Sequence, residues 1–274
     1  MDFPFQDCFV PAEKNFSAPR VGELLKYEHS MAYSLLDLKR FEAEMQKFAE
    51  EKILARYLSG PEQVYMQKLT LEKRKREWLG GRFAAKHAAA CVLGQPGNNG
   101  PYPGLSIMPD ENGRPFLAAT TKNVALPDIS ISHSGDLAAA MAVSQGLCGI
   151  DIQKITDRVV KVRNRFCSPN EGHIIQSFFK TFRAEQSSAL TKLWAAKEAL
   201  RKAAAIDALP GFLELELTGI TTASPHTAAP PYQFTFLWKH MDMHGSQLDE
   251  KFCVAVSHFA DYALALTTRD DTVA

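Results

Sequence analysis

The stretch L-T-K-L-W-A-A-K-E-A-L-R-K-A-A, residues 190–204, decides how this chain is read. It is rich in Ala, Leu, Lys and Glu and contains neither Gly nor Pro, which predicts a helix. Leu193, Ala196, Leu200 and Ala203 recur at three- and four-residue steps and give it one apolar face. Trp194, Glu198 and Lys202 follow at i, i+4 and i+8 along a neighbouring face. Alone, that second stripe reads as a surface Glu–Lys pair worth roughly a few tenths of a kcal/mol.

Looser copies of this region recur along the chain. A-A-K-E-A-L-R (195–201) is echoed by A-A-K-H-A-A-A (84–90), and I-S-H-S-G-D-L-A-A-A-M-A-V (131–143) by V-S-H-F-A-D-Y-A-L-A-L-T (256–267). In both cases the helical copy precedes a Ser-His-x-x-Asp turn and an alternating strand. Two matches in the same order point to a duplicated unit. The expected fold is therefore α+β, with two pseudo-symmetric halves, each a helix packed on an antiparallel sheet. The halves are expected at 71–146 and 147–270, with an N-terminal helical extension (1–70) packed on the first and a tail at 271–274. A site at their junction is the default expectation.

The remaining elements follow from periodicity and punctuation. Pro4, Pro11 and Pro19 break up residues 1–25, and 31–38 fits a strand or the first turns of a helix. A helix is predicted over 37–57, stopped by Ser59-Gly60-Pro61, then a further one toward Leu71 and a long one over 72–93. A hairpin with N-G-R-P near its turn fits 107–117; strands fit 129–143 and 147–152. Ser168-Pro169-x-Glu171 caps a helix over 168–182. Strands are expected near 213–221, 232–239, 251–258 and 262–268.

Composition excludes several classes. Lys plus Arg and Asp plus Glu both number 31, so no bulk field points to nucleic acid or a membrane surface. The five cysteines are dispersed with no C-x-x-C, which supports neither a disulfide framework nor a thiolate zinc site. The first residues lack the basic and apolar regions of a signal peptide, and no apolar run reaches about 18 residues. A cytoplasmic protein and a monomer are expected.

Asp151, in G-I-D-I-Q, shares a strand face with Gln153. A lone strand-end Asp ordinarily faces water. Together with Glu198, 47 residues on, it would suit Mg²⁺, which takes one or two protein carboxylates. His133 reads as a structural hydrogen bond at a strand end, unless cations gather around it. Arg82, Lys86 and Arg114 would each suit a phosphate, and each read singly is a solvated surface cation. His240 and His244 have i,i+4 spacing but sit between expected strands beside Gly245, which argues against a zinc helix.

W-L-G-G-R-F-A-A-K, N-G-R-P-F, I-S-I-S-H-S-G, G-I-D-I-Q, R-F-C-S-P-N-E and L-W-A-A-K-E-A-L-R-K occur in this order over about residues 72–204. Together they resemble the Sfp-type 4′-phosphopantetheinyl transferases, G-I-D with W-x-x-K-E-x-x-x-K being the specific combination. The shorter holo-acyl-carrier-protein synthases share G-I-D and A-A-K-E-A; the length and internal repeat favour the fused, pseudo-dimeric type. The resemblance implies transfer of the phosphopantetheine arm of coenzyme A to a serine of an acyl or peptidyl carrier protein. Asp151 and Glu198 would hold Mg²⁺ (Mn²⁺ being an alternative), and Lys202 would neutralise the pyrophosphate. Arg82, Lys86, Arg114, Ser132 and His133 would contact coenzyme A, and Glu171 fits the F-S-x-x-E position. Glu198, or a water it orients, is the candidate base. The family often has Glu where this chain has Gln153, which would reach the metal only through water.

The basic run Lys154, Arg158, Lys161, Arg163 and Arg165, with Phe178 and Phe179 nearby in sequence, is the expected carrier-docking surface. Its alternative is a solvated basic loop. A different class remains beside the transferase: a coenzyme A-binding regulatory module of the same fold without turnover. Which pathway the carrier serves (fatty-acid, polyketide or nonribosomal-peptide synthesis) does not follow from the sequence.

Overall fold

Proline spacing keeps the first residues from forming a long helix. The computed structural model describes residues 4–13, 16–94, 104–119, 125–180, 185–204, 209–222, 231–241 and 247–270. It opens with a 3-10 turn at Gln6–Cys8, the short strand β1 (Phe9–Val10) and α1 (Ala18–Leu25), which carries Pro19 in its first turn. Strand β2 (Met31–Asp37) runs into α2 (Leu38–Met45), where the Asp37 carboxylate accepts from the Lys39 and Arg40 amides. Helices α3 (Glu50–Tyr57), α4 (Gly60–Gln67) and α5 (Glu72–Val92) follow. The single helix expected over 37–57 is thus two. Lys47 and Phe48 donate to the carbonyls of Glu44 and Met45, tightening the chain into a 3-10 turn that closes α2. The bend leaves Phe48 44% exposed and returns Ile53, Leu54 and Tyr57 to the core.

Strands β3 (Leu105–Pro109) and β4 (Pro115–Ala119) form a hairpin; β5 (Asp128–Ser134), β6 (Leu137–Val143) and β7 (Leu147–Lys154) follow. Next come α6 (Arg158–Lys161), a 3-10 turn at Arg163–Arg165, α7 (Pro169–Lys180) and α8 (Gln186–Ala204). The described chain closes with β8 (Leu215–Thr222), β9 (Tyr232–Met241), β10 (Gln247–Phe259) and β11 (Tyr262–Arg269).

Two units emerge, and each repeats the same architecture. Among described residues the first takes in 4–13 and 29–147, the second 16–28 and 148–270. In the first, a sheet ordered β1-β2-β6-β5 carries α5 across β2, β5 and β6. In the second, a sheet ordered β7-β11-β10-β9-β8 carries α8 across β10 and β11. The α+β fold with a helix on an antiparallel sheet in each half is borne out. Residues 16–28, expected within an extension on the first half, fall instead in the second unit, where α1 packs on β10.

The duplication reaches individual hydrogen bonds. In the first unit Lys86, 1% exposed, donates to the Glu62 carboxylate (2.6 Å) and the Tyr57 carbonyl (2.8 Å). Glu62 also accepts from the amides of Ser59 (2.8 Å) and Ile107 (3.1 Å). In the second unit Lys197, 0% exposed, pairs with Glu171 (2.6 Å) and the Phe166 carbonyl (2.7 Å). Glu171 accepts from the amides of Ser168 (2.8 Å) and Leu217 (2.9 Å). Every member lies 109 to 111 residues after its counterpart. Burial pulls both lysine pKa values down while the glutamate pushes back, and each pair fastens its helix to a sheet or hairpin.

Removing one member strands a fully buried charge, whereas replacing both with apolar residues does not. Lys86→Met should therefore cost about 3–5 kcal/mol in denaturant unfolding, and Glu62→Leu/Lys86→Met clearly less. A double variant as unstable as the single one would show that the pair itself, not the orphaned carboxylate, carries the stability.

Candidate active site

Strand β7 and helix α8 approach so closely that only glycine fits at their crossing. A Cβ on Gly149 would stand 1.9 Å from the Ala199 carbonyl oxygen, a backbone atom that cannot move aside. That approach sets Asp151, 6% exposed on β7, against the C-terminal half of α8. Lys202 donates to the Asp151 carboxylate at 2.9 Å and to the Ile150 carbonyl at 2.8 Å. Glu198, one helical turn earlier, is half-buried and lies 3.6 Å from Arg201. Trp194 fixes the roll of the helix by stacking on Phe212 (4.8 Å between centroids) and meeting Phe166 edge-on.

The Glu198 carboxyl is pushed above its ordinary range, first by burial and then by the negative charge of Asp151; Lys202 and Arg201 only partly offset this. Two carboxylates that repel each other, one buried and one half-buried, form an arrangement that a divalent cation would relieve. No group of three or more His, Cys, Asp or Glu side chains fit to hold a metal occurs among the described residues. Two carboxylates are a donor set that would suit a hard cation such as Mg²⁺ or Mn²⁺. Gln153, half-buried two residues along β7, lies on the same strand face as Asp151.

The other expected site residues belong to the first unit. Ser132, 7% exposed, and His133 lie on β5; the His133 ring, half exposed, lies 3.8 Å from Glu77. Arg82 lies flat over Trp78 at 4.1 Å, and burial lowers its guanidinium pKa to about 10, still charged at neutral pH. Its Nε and the Trp78 Nε1 are buried without hydrogen-bond partners among the described residues. Arg114 is held by Asp128. Lys86 requires correction: its ammonium is locked inside the Glu62 pair and cannot reach a phosphate. Glu62 escaped the sequence reading, although Ser59-x-x-Glu62 repeats the capping signature of Ser168-x-x-Glu171.

Among the docking candidates, Arg158, Lys161, Arg163 and Arg165 are exposed, while Lys154 pairs with Asp261 at 3.3 Å. Phe179 is buried and Phe178 packs edge-on against it and Tyr232, so neither forms an exposed docking face. His240 stacks on Trp238 in β9, and His244 lies outside the described residues. No described helix is long and apolar enough to cross a membrane.

Residues 147–267 match the model of the 4′-phosphopantetheinyl transferase superfamily. A holo-[acyl-carrier-protein] synthase of Geobacillus sp. (strain WCH70) is 38% identical over 114 residues, 41% of this chain and 92% of that protein. The Bacillus subtilis (strain 168) holo-[acyl-carrier-protein] synthase is 35% identical over 122 residues, 43% of this chain and 97% of that one. Among solved structures, a holo-(acyl-carrier-protein) synthase from Bacillus anthracis str. Ames in complex with CoA (3′,5′-ADP) is 28% identical, with a TM-score of 0.35. It covers 41% of this chain and 92% of that one.

Because the folded state holds the Glu198 proton more tightly than the unfolded chain, stability attributable to this group is present below pH 4.5 and lost as pH rises through its raised folded value. Glu198→Gln should therefore stabilise the metal-free protein at neutral pH, with a Tm gain over wild type that grows as pH climbs past 4.5. A pH-independent difference in Tm, followed by calorimetry, would contradict the geometry.

Proposed function

This chain belongs to the 4′-phosphopantetheinyl transferase superfamily, and from that premise we propose that it moves the phosphopantetheine arm of coenzyme A onto a serine of an acyl or peptidyl carrier protein. The observation that carries this reading is the trio Asp151, Glu198 and Lys202, held on β7 and α8 inside the matched residues. Asp151 and Glu198 would hold Mg²⁺, which would supply positive charge to the pyrophosphate of coenzyme A. Arg82, Arg114 and His133, with Ser132, are proposed to contact the coenzyme A phosphates. The half-buried Arg82 guanidinium is the strongest of these, since desolvation strengthens its pull on an anion.

The chemistry is an in-line displacement at phosphorus. The serine oxygen forms a bond to the β-phosphorus while the bond to the bridging pyrophosphate oxygen breaks, releasing adenosine 3′,5′-bisphosphate. The serine proton needs an acceptor, and Glu198 would take it directly or through a water that it orients. Lys202, kept in place by the Ile150 carbonyl, neutralises charge that accumulates on the leaving phosphate. Positioning and charge neutralisation then supply most of the rate.

Intact-mass analysis of an apo carrier incubated with coenzyme A should show the phosphopantetheine increment with Mg²⁺ and none after chelation. Glu198→Gln should lower the rate at least about a hundredfold, the scale of a lost acid–base group; near wild-type transfer by that variant would remove Glu198 from the chemistry.

Arg163→Glu with Arg165→Glu should raise the KM for carrier far more than the KM for coenzyme A, because both side chains are exposed and make no ion pair among the described residues. Equal effects on the two substrates would place docking elsewhere.

A further inference from the structure

Lys202 answers Asp151 and has a place in the proposed chemistry; Arg201, beside it in the last turn of α8, has none. Three contacts hold Arg201 firmly for a cation on a helix. Its Nε donates to the Pro210 carbonyl at 2.6 Å, and its guanidinium lies over the Phe212 ring at 4.2 Å. Its Nη1 faces the Glu198 Oε1 at 3.6 Å, an ion pair without a hydrogen bond. These two side chains are 19% and 25% exposed, whereas Arg20 and Glu23, at the same spacing, are 39% and 63% exposed.

The segment that grips Arg201 is itself fixed. Phe212 stacks on Trp194, and its carbonyl accepts from Lys197 at 2.9 Å. Arg201 is therefore a clamped charge, and Glu198 has no other ion pair among the described residues. The first unit supplies a control. Arg201 stands four residues after Lys197, and Ala90 stands four residues after Lys86, one turn beyond the neutral His87. The arginine occurs only where the crossing of strand and helix carries carboxylates.

A clamped cation beside a half-buried carboxylate acts on a divalent ion in two ways of the same sign. It competes for the oxygen that the ion needs, and it repels the ion itself. We propose that Arg201 is a positioning residue that holds Glu198 in the metal-free chain and keeps the affinity for a bare divalent cation low. This rests on the reading of Asp151 and Glu198 as the metal ligands. The cation then binds tightly only where further anionic oxygens accompany it, as the pyrophosphate of coenzyme A would supply.

Glutamine isolates the charge. Its Nε2 is as many bonds from the Cα as the arginine Nε, so Arg201→Gln can keep the Pro210 hydrogen bond while losing the cation. Arg201→Lys keeps the cation and loses the planar fork. Mn²⁺ binding to each full chain, without coenzyme A and then with it, is followed by the electron paramagnetic resonance of the free ion against a protein-free blank. Calorimetry checks that each variant folds, and Arg201→Met gives the same readout if the glutamine variant does not. Without coenzyme A, Arg201→Gln should bind Mn²⁺ about tenfold tighter than wild type, the scale of one partly solvated charge, and Arg201→Lys within about twofold of wild type. Adding Asp151→Asn to the glutamine variant should remove that binding. Mn²⁺ binding that the uncharged variants leave unchanged or weaken, or that lysine tightens as much as glutamine does, overturns the role of Arg201 alone. Binding that survives Asp151→Asn, or no binding by wild type and the glutamine variant with coenzyme A or without it, overturns the metal reading and this role with it.

Discussion

A lysine ammonium buried beneath a helix has to be answered, and in this protein the answer organises each unit. Lys86 and Lys197 have at most 1% of their surface exposed, and each is met by one glutamate and by backbone carbonyls, that of Tyr57 for Lys86 and those of Phe166 and Phe212 for Lys197. Desolvating two charges is costly, and such a pair is tolerable only when its geometry and remaining hydrogen bonds are good. Here both glutamates spend their other lone pairs on a helix cap and on the first strand beyond it. The consequence for the site is direct. Lys197 fixes the rotation of α8, and Glu198 is the next residue, about 100° further round the helix. The pair that looks structural therefore determines where the carboxylate of the candidate site points.

Because the two units share this frame, they can be compared position by position, and the comparison shows what separates scaffold from chemistry. The amide of Leu38 donates to the Asp136 carbonyl, and that of Ile155 to the Asp261 carbonyl, both at 2.8 Å, which aligns β2 with β7. Counting back four residues sets Ser34 against Asp151, and the lysine pairs set His87 against Glu198. In the first unit Ser34 and His87 share a hydrogen bond of 2.8 Å, and burial holds the imidazole neutral, with Phe9 stacked on it at 4.1 Å. A neutral, satisfied pair leaves no charge for a cation to relieve. The same crossing of strand and helix carries repelling carboxylates in the second unit alone.

Much of this was legible in the sequence, for reasons that also explain the failures. The long helices, the alternating strands and the repeated Ser-His-x-x-Asp turn are local patterns, and they set the α+β duplication correctly. Glu198 and Lys202 are one turn apart on such a helix, so their shared face was readable. Lys86 was misread because a lysine in an Ala-rich helix carries no sign of its burial; the decisive partner, Glu62, lies 24 residues away. The break in the helix over 37–57 was hidden for a related reason. Leu38, Phe41, Met45 and Phe48 keep a helical rhythm across a bend that has neither Gly nor Pro. Phe178 and Phe179 looked available beside a basic run, yet tertiary packing on β9 consumes them.

Equal numbers of acidic and basic residues make the chain look electrostatically silent, and pairing shows why that impression is wrong. Net charge sums over groups that cancel locally and groups that do not, and only the latter project a field into solvent, out to a screening distance of about 8 Å. The buried Lys86 and Lys197 are cancelled by their glutamates, and a good part of the surface is cancelled by short-range pairs such as Lys75 with Glu50. Two like-charged carboxylates still meet across β7 and α8, only partly offset by Lys202 and Arg201, and exposed cations on α6, α7 and the turn between them form no ion pair among the described residues. The first would attract a cation and the second an anionic surface, and both lie within the second unit. A neutral protein can thus hold two opposite specificities, because its fold decides which charges are left without an answer.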